Sequence, residues 1–70
     1  MYPQSELGKL RLERARKSVP EVATLLRAAG CKRMTARRLY GIEHGVLRLD
    51  EQERQALATL YGLRPWELPI

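Results

Sequence analysis

The sequence predicts an all-α fold: one compact domain of five short helices. Three observations carry that expectation. Leu, Ala, Arg and Glu dominate, phenylalanine is absent and β-branched residues are few, which favours helix on intrinsic propensity. Apolar residues recur at i, i+3, i+4 and i+7 in several stretches, and no stretch of any length alternates with the strand period. Ser, Thr or Asp stands before these stretches and Gly after most of them, the usual signals of helix starts and stops.

Helix 1 is expected over residues 5–16, with Ser5 as N-cap and Glu6 in the first turn. Leu7, Leu10, Arg11 and Arg14 share a face, widened by Leu12 and Ala15. Arg11 falls inside this apolar sector and so calls for an acidic partner. Helix 2 is expected over residues 19–29. Ser18 and Glu21 form a capping box, and Pro20 is tolerated in the first turn. Val22, Leu25, Leu26 and Ala29 give the buried stripe, and Gly30 stops the helix.

Residues 30–34 form a short basic connector. Helix 3, residues 36–44, follows the N-cap Thr35. At about 100° per residue, Leu39 and Ile42 point one way, and Arg37, Tyr40, Gly41 and His44 the other. Gly41 inside so short a helix costs about 1 kcal/mol relative to Ala. Either a neighbour approaches the backbone there or the cost is tolerated. Helix 4 starts at Asp50, which forms a second capping box with Glu53. It buries Ala56, Leu57, Leu60 and Tyr61 and ends at Gly62. A short fifth helix is expected over residues 64–68, with Pro65 at its first position.

Length and charge narrow the function. A chain of 70 residues buries only about 60% of its unfolded surface. Cys31 is its only cysteine, which offers neither a disulfide nor a paired-cysteine metal spacing and fits a reducing compartment. Helix packing, dimerisation or both must then stabilise the fold. No apolar run approaches the roughly 20 residues that span a bilayer, and the first residues lack a signal pattern, so a cytoplasmic, nucleoid-associated protein is expected. The net charge is +5 and uneven: residues 1–48 carry +7 and residues 49–70 carry −2. Arg27, Lys32, Arg33, Arg37 and Arg38 lie in one stretch without an acid, which suggests an anionic partner.

Helix 2, the connector and helix 3 read as a helix-turn-helix. Val22-Ala23 with Leu26, then the run from Thr35-Ala36-Arg37 through Ile42-Glu43-His44-Gly45, carry a family likeness. So do Leu57-Ala58-Thr59-Leu60-Tyr61-Gly62-Leu63 and Pro65-Trp66-Glu67-Leu68. In their order and spacing, over residues 5–68, the chain resembles the lambda-repressor-like (Cro-type, or xenobiotic-response-element) helix-turn-helix family.

The resemblance implies that helix 3 enters the major groove of double-stranded DNA. Arg37, near its N-terminus, would meet base edges, where an arginine bidentate to guanine is worth about 1–3 kcal/mol of discrimination. Tyr40 and His44 would reach bases or phosphates from the same face, alongside Gly41. Thr35, Ala36 and the first amides of helix 3 would hold a phosphate. Lys32 and Arg33 would touch the backbone. Arg38 points sideways, either to DNA or to an acid within the domain. Glu43 would pair with an arginine of helix 1, for which Arg11 is the candidate.

Three positions depart from the family. Val19 or Pro20 replaces the usual glutamine at the start of helix 2, which leaves Ser18, with Lys17, as the polar contact at that end. The connector is a few residues longer than the tight turn. Lys17 replaces an apolar residue before the cap. Leu63, Trp66, Leu68 and Ile70 form an apolar C-terminal cluster that either closes the core or faces a second subunit.

The leading expectation is a sequence-specific transcriptional regulator, a repressor that binds a palindromic operator as a homodimer. The alternative is a protein-binding module, such as an antitoxin or a polymerase-docking factor, that uses the basic surface on an acidic partner. Non-specific coating of nucleic acid is a third option. An enzyme is not expected: the sequence offers no nucleophile–base pair, no Gly-rich phosphate loop, no metal cluster and no cofactor motif.

Overall fold

The computed structural model describes residues 5–69. Among them are four α-helices, α1 (Glu6–Leu10), α2 (Val19–Ala28), α3 (Ala36–Glu43) and α4 (Glu51–Tyr61), and no strand. The expected fifth helix is a single 3₁₀ turn, Pro65–Glu67. Arg64 N donates to Glu67 Oε1 (2.8 Å), and Pro69 leaves no room for extension. The radius of gyration is 10.7 Å, close to the ~11 Å of a well-packed chain of this length.

Each α-helix starts at a side-chain cap formed three residues apart. Ser5 Oγ accepts from Gly8 N (2.9 Å), Ser18 Oγ from Glu21 N (3.4 Å), Thr35 Oγ1 from Arg38 N (3.1 Å) and Asp50 Oδ1 from Glu53 N (2.7 Å). Capping boxes close at Ser18 and Asp50, where Glu21 and Glu53 bond back to the cap amides. At the other end of α4, Gly62 turns left-handed (φ +71°), a conformation that a side chain would strain.

Helix 1 does not run on as an α-helix. From Arg11 to Ala15 it widens into a π-helix, with Arg16 N donating to Arg11 O (3.0 Å). The extra residue in the turn shifts the inward face by one position. Ala15, not Arg14, packs toward the core, and Leu12 is exposed.

In α2 the buried stripe is Val19, Val22, Ala23 and Leu26, three residues earlier than expected. Leu25 is 40% exposed, and Ala29 is the exposed C-cap. Both stripes satisfy helical spacing, and packing chooses between them. Val19, at a position expected near the partner surface, is core. In α4, Leu57, Ala58 and Tyr61 are buried, while Ala56 and Leu60 are half-buried.

The longer connector is built into the core rather than looped out. Cys31 and Met34 are buried, and Cys31 N donates to Leu26 O (2.9 Å). Arg27 Nη1 holds Met34 O (2.8 Å), and Gln52 Nε2 from α4 holds Gly30 O (3.2 Å). The residue before the α3 cap is thus fixed from α2, and the start of the connector from α4. Among the described residues, no helix is long and apolar enough to cross a membrane.

Candidate nucleic-acid interface

The structure sorts α3 into two faces. Leu39 and Ile42 are fully buried, and the two charges beside them, Arg38 and Glu43, turn inward as well. Arg38 Nε and Nη2 clasp Glu53 Oε2 and Oε1 at 2.8 and 2.7 Å, and Nη2 also reaches Arg48 O (3.2 Å). Glu53 is 1% exposed. The Arg38 guanidinium is the main reason its carboxyl sits below the usual glutamate range; burial opposes this, while the Asp50 amide and the field of Arg33 add to it. The sequence left Arg38 open to DNA; this bidentate pair takes it instead.

At the opposite end of the helix, Arg11 Nε donates to Glu43 Oε2 (2.9 Å), with both side chains at or below 10% exposure. Arg11 Nη1 also holds Lys17 O (2.6 Å), across the end of the π turn. Two ion pairs thus tie α3 down, to helix 1 at its C-terminal end and to α4 near its start. The one buried side-chain polar atom left without a partner among the described residues is the Tyr61 hydroxyl of α4, which feels the charges of Glu43 and Arg11. Burial first, and Glu43 second, push its pKa well above the usual phenol range, so it stays protonated.

Gly41 is not on the outward face. The chain folds back after α3 so that Val46 N and Leu47 N donate to Gly41 O (2.8 and 3.1 Å). A Cβ on Gly41 would lie 2.7 Å from Leu47 Cδ1. The glycine makes room for this return, which is the close approach considered as one explanation of its cost.

The outward face keeps Arg37, Tyr40 (49% exposed) and His44, the exposed C-cap. Lys32 and Arg33 stand exposed on the connector turn just before the α3 N-terminus. No hydrogen bond or ion pair within the described residues engages the side chains of these five. Thr35 is exposed and its oxygen caps the helix. Ala36 offers its backbone N–H at the open helix end, while its methyl packs against the core. Ser18 is exposed but occupied: its hydroxyl donates to Glu21 Oε1 (2.9 Å) and caps α2.

The C-terminal cluster divides as well. Leu68 is buried in the core and so is withdrawn from any interface, because the 3₁₀ turn folds it inward. Leu63 packs half-buried against the same core. Trp66 is 73% exposed, with the Arg64 guanidinium 5.4 Å from its ring centre. Ile70 lies outside the described residues.

The sequence reading missed Arg27 and Glu53 as organisers of α3. The only signal was local: Glu53 was legible as a capping residue, but its second partner comes from 15 residues away. Comparison of the chain with protein-family models, curated proteins and solved structures returned no match.

Proposed function

We propose that this chain is a sequence-specific double-stranded-DNA-binding regulator of the lambda-repressor-like type. In this reading α2, the connector and α3 act as a helix-turn-helix, and α3 is the recognition helix. The observation that carries the reading is the division of α3. Arg38, Thr35 and Glu43 are engaged within the domain, whereas Arg37, Tyr40 and His44 are displayed together with Lys32 and Arg33 beside the helix start. A rigidly tied helix with an unengaged basic and aromatic face suits insertion into a groove lined by acceptors and phosphates.

Arg37 reads a guanine, Tyr40 and His44 contact bases or flanking phosphates, and Lys32, Arg33 and the Thr35–Ala36 helix end hold the backbone. A helix of 8 residues reads only a few base pairs. A homodimer with two copies about 34 Å apart on a palindrome multiplies the affinity. Occupying a promoter in this way represses it, in the cytoplasm at the nucleoid.

Selection from random duplex DNA at about 0.15 M salt tests the reading. Wild type enriches a palindrome, and Arg37→Ala loses the base preference at one position of each half-site. Binding that fades with salt and enriches no site would instead assign the basic face to an acidic protein partner, such as a toxin or a polymerase subunit, or to non-specific coating.

A further inference from the structure

Residues 55–63 are the longest stretch of this chain without a charged residue, in a protein whose charged fraction is 30%. In the structure this stretch meets the exposed edge of α2. Between them lies a groove of about 160 Å³, lined by Leu25, Leu26, Ala29, Ala56, Thr59 and Leu60. The lining carries no charge. Leu25 stands 40% exposed at its edge, and Ala29 and Thr59 are open to solvent.

We propose that this α2–α4 groove is where a second copy of the chain docks, with Leu25 of each copy seated in the groove of the other. The inference deepens the homodimer reading above by naming its interface.

Charge argues for this occupant. Two copies that each carry +5 repel, so they meet best where neither presents a cation. The other exposed large apolar side chains lie beside cations: Trp66 has Arg64 over its ring, Leu47, next to Val46, shares a hollow with Arg48 and Arg54, Leu12 lies two residues before the exposed Arg14, and Tyr40 belongs to the basic α3 face. A DNA or acidic-protein partner would find nothing in the groove to pair with.

Shape argues the same way. The small Ala29, Ala56 and Thr59 let two helix pairs approach closely, and a leucine knob beside a shallow hole of its own making is self-complementary, as a two-fold contact requires. On its outer side Leu25 meets Lys17, Glu21 and Thr24, a mixed polar rim like that around an interface core. No residue of the outward α3 face lines the groove, so both surfaces can be occupied together.

The test is sedimentation velocity over a concentration series without DNA. Wild type passes from monomer to dimer. Leu25→Glu and Thr59→Glu, both at exposed positions, raise the dimer dissociation constant by about 100-fold or more. Both keep their helical circular dichroism and melting temperature, and Trp66→Ala dimerises like wild type. Amide chemical-shift changes between dilute and concentrated wild type cluster at residues 25, 29, 56, 59 and 60, a readout that needs no variant. A wild type that stays monomeric overturns the proposal. So do glutamate variants that dimerise normally, or shifts confined to residues 46–49 or 63–68. Binding of Leu25→Glu to a single half-site duplex separates this outcome from failure of the DNA reading, because the monomer keeps its α3 face.

Discussion

Arg37 and Arg38 are adjacent, identical in chemistry and both in the first turn of α3, yet the fold gives them opposite positions. Arg38 is turned inward and grips Glu53 through two hydrogen bonds, whereas Arg37 is exposed and no partner within the described residues engages it. One helical step of about 100° separates them. Local sequence therefore says little about which cation of a basic run is available. What decides is whether an acid from another element stands on that side of the helix. The same contrast divides the five-cation stretch: Arg27 and Arg38 hold the connector and α4, while Lys32, Arg33 and Arg37 face outward.

The largest expected effect tests that contrast directly. Arg38→Ala leaves a carboxylate with a 2% exposed side chain without its cation and should cost about 3 kcal/mol, a large share of the stability of so small a domain. Arg37→Ala should change stability by no more than about 0.5 kcal/mol while removing the base preference at one position of each half-site. Urea denaturation of the two variants side by side checks this, and equal losses would erase the distinction between the faces.

Acid should sharpen it. Because the folded-state pKa of Glu53 is depressed, mainly by Arg38, its contribution is full above the ordinary glutamate pKa and is lost as pH falls through the lowered folded value. Wild type and Arg37→Ala should lose stability in parallel as pH drops below about 4. Arg38→Ala should lose much less over the same range. Parallel curves for all three proteins would mean that the pair contributes nothing that depends on charge.

On the outward side, Lys32→Ala should weaken binding to all duplexes alike and lower the slope of log K against log salt by about 0.9, the signature of one lost phosphate contact. A loss confined to one site sequence would make Lys32 a base reader instead. The smallest effect is expected in the core. Tyr61→Phe removes a buried hydroxyl that no described residue satisfies and should leave stability unchanged or raise it by up to about 1 kcal/mol. A clear loss would show that this hydroxyl takes part in the Arg11–Glu43 cluster, and would extend the inward network of α3 to α4.

Helix starts were legible because each depends on residues three apart. Ser5, Ser18, Thr35 and Asp50 cap the four helices where the sequence places them. Gly30, Gly45 and Gly62 adopt positive φ at or just beyond three of the helix ends. The outward positions of Arg37, Tyr40 and His44 follow from helical spacing alone. The buried stripe of α2 was not legible. Its apolar residues satisfy two registers, and only contact with the rest of the core selects Val19 and Ala23 over Leu25 and Ala29. The π widening at Arg11 was hidden for a similar reason: it coincides with a guanidinium held by Glu43 and by the Lys17 carbonyl, and no local rule encodes both.

The sequence by itself determined the all-helical class, the cap-defined starts of α1 to α4 and the basic character of the surface before and along α3. These depend on propensity, on bonds between residues a turn apart and on charge count, all of which are local or additive. The tertiary structure decided that Arg38 and Glu53 pair, that Leu68 is core while Leu25 is not, and that the chain returns over Gly41. The first two rest on partners far along the chain or across the core, and the third on a return of five to six residues that helical spacing does not encode; burial free energy is assigned only once the helices have packed.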